Sequence, residues 1–308
     1  MNKPGSESIQ GRLFNLEARS ARSQIWLGPG WAVLCGAVAS AGLDIGWYTL
    51  ISLLLALLLV DSLLGTVWSL ATSDRRILGA SEGGNPGQKT SLSALPYTLP
   101  GSLGYRVLDL LSERVSRWRA TLRSEAGSSL LSLILSSLFA LVVAALLGTG
   151  PLLLTGVALV IAASRFALPR SREAMRLALG SCFLAGLAWL MGYATFYDLA
   201  SLSSERSLIG KPLVWAAVYA VAFHAYQLLS RGRLAKGATL LNLAQIAAAT
   251  VLVVVKQPIL AGVVGLLLLP QMLLQPSLLS TGDGLWYLRR VQVFTMATMM
   301  VTAVAAAK

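Results

Sequence analysis

Acidic residues, histidine and cysteine are all scarce in this chain, and each shortage removes a class of function. Only 13 of 308 residues are Asp or Glu, and charged residues of both signs make up 12%. A soluble domain averages about 25% charged residues. With 56% apolar residues and a mean hydropathy of +0.69, the chain reads as an all-α, polytopic membrane bundle. The single histidine, His224, and the two cysteines, Cys35 and Cys182, offer no suitably spaced ligand set for a zinc-type site. Both cysteines fall in apolar runs, where a thiol is expected to fill space rather than pair. Strict alternation of polar and apolar residues is missing too. Residues 53–60 and 259–269 are continuously apolar, which excludes a bacterial β-barrel. The first 24 residues are polar and carry Lys3, Arg12, Arg19 and Arg22, so no cleavable signal peptide is expected.

What is abundant is long apolar runs punctuated by Gly and Pro. Nine spans are expected, at residues 24–43, 47–71, 128–147, 150–168, 174–201, 212–229, 238–255, 259–279 and 288–307. The first, third and seventh connections are short, which predicts three antiparallel hairpins. Residues 1–23 form an N-terminal segment, and residues 24–308 a single bundle with one long loop, 72–126.

The chain is basic, with 25 Lys and Arg giving a net charge of +12. In a soluble protein that excess would point to nucleic acid. Here, with the N-terminus placed in the cytoplasm, 21 of the 25 fall in cytoplasmic segments, leaving Arg206, Lys211, Lys256 and Lys308 outside. This is the positive-inside pattern, so the excess charge becomes an orientation and nucleic acid is not needed to explain it. Within the long loop, residues 103–123 place Val107, Leu111, Val115, Trp118 and Leu122 at helical spacing among five arginines. That pattern predicts an amphipathic helix parked on the bilayer surface or capping the mouth of the bundle.

Ionisable groups inside spans are candidate sites by default. Asp61 is the one carboxylate well inside a predicted span, and Asp198 sits at the outer end of another. His224, in the cytoplasmic half of the sixth span, reads either as a hydrogen-bonded packing residue or as a ligand to a pigment. Gln271 and Gln275 stand one turn apart between Pro270 and Pro276. They either line a cavity at a broken helix or bond to a neighbouring helix.

Nine spans, a cytoplasmic N-terminus and basic loops after the second and sixth spans resemble the UbiA superfamily of intramembrane prenyltransferases. The segment Leu269-Pro270-Gln271-Met-Leu-Leu-Gln275 and the last span, from Val291 to Ala305, are similar to the chlorophyll and bacteriochlorophyll synthase branch. The resemblance implies a site in a bacterial inner membrane, built from two Asp-rich motifs that hold Mg²⁺ on a prenyl diphosphate. The first motif falls on Val60-Asp61-Ser-Leu-Leu64-Gly-Thr-Val-Trp68, keeping one carboxylate of three, with Arg75 downstream. The second falls on residues 226–237, where the acidic positions read Tyr226, Arg231 and Arg233.

Asp61 is thus the one catalytic carboxylate the resemblance carries over. Arg75, Arg76, Arg231, Arg233, Lys236, Gln271 and Gln275 are candidates to bind substrate or an anionic headgroup directly. The expectation is a UbiA-like bundle that binds an isoprenoid or phytyl-type lipid or pigment and is catalytically degenerate, with Mg²⁺ required only if it is active. Two other readings stand beside it: a structural or assembly subunit of a larger membrane complex, such as a photosynthetic one, and a transporter or permease-like subunit.

Overall fold

The computed structural model describes residues 28–42, 46–72, 125–169, 171–197 and 206–307. The described residues form nine helical segments and no strand. They are α1 (Pro29–Ala39), α2 (Trp47–Thr72), α3 (Glu125–Leu147), α4 (Thr149–Ala167), α5 (Glu173–Phe196), α6 (Arg206–Ser230), α7 (Leu234–Val254), α8 (Pro258–Thr281) and α9 (Gly284–Ala306). Five of these helices are long and apolar enough to cross a membrane: α2, α5, α7, α8 and the Pro212–Ser230 part of α6. In hydrocarbon every backbone N–H and C=O must be satisfied within its own segment, so apolar runs of this length have the helix as their stable form. The N-terminal segment 1–23, Arg75, Arg76, Asp198 and the amphipathic stretch 103–123 lie outside the described residues.

The centre of the bundle is α1, α5, α6 and α9. On one flank α2, α3 and α4 pack on it, and on the other α7 and α8 do. The closest approach is between α1 and α5. A Cβ added to Gly192 would sit 2.0 Å from the Val33 carbonyl oxygen, and one added to Gly36 would sit 1.9 Å from that of Trp189. Glycine is required at both positions because backbone lies directly on backbone, the close-contact packing that membrane helices use in place of a hydrophobic driving force. Across α6 and α9, hydroxyls pair inside the core: Tyr219 with Thr302, and Tyr226 with Thr295 at 3.2 Å.

Two helices widen locally into π-type turns, Leu58–Leu64 in α2 and Cys182–Leu187 in α5. Just beyond the first, Trp68 stacks on Phe183 of the second with ring centroids 4.5 Å apart. Cys35 is buried as expected, whereas Cys182 faces outward.

The basic stretch 231–236, read from the sequence as a loop, is a three-residue turn followed by the first turn of α7. Gly232 has φ +76, a conformation that favours glycine. It lets the chain reverse so tightly that Arg231 and Arg233 flank the turn while Lys236 already belongs to α7.

Candidate functional site

The second-motif positions do not face one another as a cluster. Tyr226 is buried in the α6–α9 interface, where its hydroxyl donates to Thr295 Oγ1. Arg231 and Arg233 instead turn toward the start of α5, where both engage Glu173. Arg231 pairs with Glu173 Oε1, and Arg233 Nη2 lies 3.7 Å from Oε2. Lys236 is exposed one turn further on.

Asp61 lies on α2 within its π-type turn. It continues the exposed stripe of Ile51, Leu54 and Leu58, so it points away from the bundle interior. No hydrogen bond or ion pair to Asp61 occurs among the described residues. Asp61 is therefore not brought together with Arg231 or Arg233, nor with the glutamines of α8, which sits on the opposite flank.

Gln271 and Gln275 both donate to the same acceptor, Asn242 Oδ1 on α7, at 2.9 and 2.8 Å. Pro276 has no N–H to give, so the helical ladder is interrupted near Leu274. The Tyr287 hydroxyl of α9 donates to the Gln271 carbonyl, 3.1 Å away. Gln271 is fully buried, and its Oε1 has no partner among the described residues.

His224 is half-buried on α6, with Nδ1 3.3 Å from Ser181 Oγ on α5. The Ser181 hydroxyl also donates to the Leu177 carbonyl at 3.0 Å. Beside this pair, Gly180 makes room for α2 and α6 at once: a Cβ there would meet the Trp68 ring at 3.2 Å and the Gln227 amide at 3.3 Å.

The basic end of the bundle carries an open cleft of about 280 Å³, lined by Arg165 at the end of α4, Glu173, Arg176 and Leu177 at the start of α5, and Arg231 at the end of α6. Arg165 Nε and Nη1 and Arg176 Nε are buried, and none has a hydrogen-bond partner among the described residues. From the sequence, Arg165 and Arg176 count only as charges that orient the chain. The available signal was their position on either side of the short 168–172 connection, which brings both to one end of an antiparallel pair. By contrast, the apolar crevice beside Val60, Leu64, Phe183 and Leu187 encloses only about 10 Å³, roughly one water molecule's worth of room.

No protein-family model matches the chain, and comparisons with curated proteins and with solved structures find no match.

Proposed function

We propose that this is an integral membrane protein built on a UbiA-like bundle of nine spans, with its N-terminus cytoplasmic and its C-terminus outside a bacterial inner membrane. It binds an isoprenoid or phytyl-type lipid or pigment and does not carry out Mg²⁺-dependent prenyl transfer. The observation that carries this reading is the engagement of Arg231 and Arg233 with Glu173. Where the family places acidic metal ligands, this chain places guanidiniums that already share a carboxylate.

The donor set does not fit Mg²⁺, which takes oxygen ligands in near-octahedral geometry. Among the described residues no three His, Cys, Asp or Glu side chains lie close enough to hold a metal. Among the described residues Asp61 has no carboxylate beside it on its outward stripe, and Tyr226 is committed to Thr295.

The test uses purified protein in nanodiscs supplied with geranylgeranyl or phytyl diphosphate, with and without Mg²⁺. Release of diphosphate should be the same in both conditions, and native mass spectrometry should detect a retained isoprenoid or pigment. Metal-dependent turnover that Asp61→Asn abolishes would establish an active transferase instead.

One observation favours a second reading, that of a subunit in a larger membrane complex. A carboxylate on a lipid-facing stripe is costly unless paired, and a basic or hydrogen-bonding group on another membrane protein would supply the partner for Asp61. In that case the protein co-purifies in a stable assembly in mild detergent, and Asp61→Leu releases it. A protein that runs alone in mild detergent would count against this reading.

A further inference from the structure

Among the described residues, the cleft formed by the ends of α4, α5 and α6 holds more positive charge than its neighbours compensate. Among the described residues, three guanidiniums, those of Arg165, Arg176 and Arg231, line it against one carboxylate, Glu173. That carboxylate already serves Arg231 and also faces Arg233. What remains are the buried Nε and Nη1 of Arg165 and the buried Nε of Arg176, donors without an acceptor among the described residues. Guanidinium groups cannot shed their protons to relieve this, and a buried, unpaired charged donor calls for an anion.

From these contacts we infer that the cleft binds a phosphate group directly, held by Arg165, Arg176 and Arg231 without a metal ion. The choice of phosphate follows from donor geometry. The lining guanidiniums come from the ends of three different helices, and a tetrahedral phosphate has an acceptor oxygen to offer each of them. A carboxylate offers two oxygens in one plane, and Glu173 already fills that role. A volume of about 280 Å³ is just below the roughly 300–1,000 Å³ typical of pockets for whole small molecules, so the site takes a headgroup-sized moiety. The inference stands independently of what kind of tail the bundle binds.

The phosphate has two possible sources, a lipid headgroup or a soluble phosphate, and one set of measurements separates them. With the protein in phosphatidylcholine nanodiscs, inorganic phosphate and inorganic diphosphate are titrated by calorimetry at constant ionic strength set with chloride. In parallel, native mass spectrometry compares retention of phosphatidylglycerol or phosphatidic acid with that of phosphatidylcholine. Saturable binding of the inorganic ions identifies a soluble source, and selective retention of the anionic lipids identifies a headgroup.

In whichever arm responds, Arg165→Gln and Arg176→Gln should each weaken binding by about tenfold or more, while Arg289→Gln, exposed on α9, leaves it unchanged. Glu173→Gln should strengthen binding several-fold, because it removes the internal competitor and frees Arg231. A protein that is merely misfolded would not bind more tightly. Binding that is indifferent to Arg165→Gln and Arg176→Gln, an absence of binding in both arms, or weaker binding in Glu173→Gln would each overturn the inference.

Discussion

The contact between α1 and α5 makes a sharp quantitative prediction through Gly192. In Gly192→Ala the new Cβ would stand 2.0 Å from the Val33 carbonyl oxygen, whereas ordinary van der Waals contact begins at 3.4 Å. The two backbones must therefore part by about 1.4 Å along that direction. Overpacking of this kind costs about 1–3 kcal/mol, and more when the obstacle is backbone that cannot rotate away. Alanine returns up to about 1 kcal/mol through its better helix propensity. The net expectation is a loss of about 2 kcal/mol.

Gly262→Ala on α8 is the matched control. It adds the same methyl in mid-helix with nothing within 4 Å, so only the propensity gain remains and the protein should become slightly more stable. Thermal unfolding in mild detergent, followed by tryptophan fluorescence, should place Gly192→Ala several degrees below wild type and Gly262→Ala at or above it. Gly36→Ala separates the same two helices, so the double variant should lose less than the sum of the two single losses. The reasoning is refuted if Gly192→Ala melts with or above Gly262→Ala, or if the two interface substitutions simply add.

Three further perturbations are read by the same melting assay. Tyr226→Phe removes the hydroxyl bonded to Thr295; it should cost about 0.6 kcal/mol and no more than about 2, the range seen for such bonds between membrane helices. Asn242→Leu strands the amides of Gln271 and Gln275. It should cost about 2 kcal/mol or more, most of it recovered in the triple variant that also carries Gln271→Leu and Gln275→Leu. Asp283→Ala removes the cap that accepts from the N–H groups of Leu285 and Trp286 at the start of α9; the expected loss is about 1 kcal/mol.

The helical segments were legible because their signal is local. A long apolar run bounded by Gly148, Pro258 or a charged turn defines its own ends to within a few residues. The α6–α7 connection was misjudged because Arg231, Arg233 and Lys236 look like one basic loop, while the chain reversal depends on the left-handed conformation of Gly232. For the candidate site, Arg231 was visible through its place in a resembled motif. Arg165 and Arg176 were not, because each looks like any other charge beside a span. Their meaning arises from a neighbour 55 residues or more away in sequence, Arg231, and no periodicity encodes that proximity. The side on which Asp61 emerges was likewise hidden, since it depends on which face of α2 the other helices cover.

The reciprocal seat of Gly36 on Trp189 and of Gly192 on Val33 also constrains the order of events during synthesis. The main partner of α1 lies about 150 residues downstream, so at roughly 5–20 residues per second a nascent α1 waits on the order of ten to thirty seconds for its mate. During that interval the glycine face of α1 is without the α5 backbone on which it packs. Assembly of the bundle's centre therefore begins only after the fifth helix has entered the bilayer, and substitutions at Gly36 and Gly192 should register as slow maturation and degradation in the cell as well as a lower melting point in detergent.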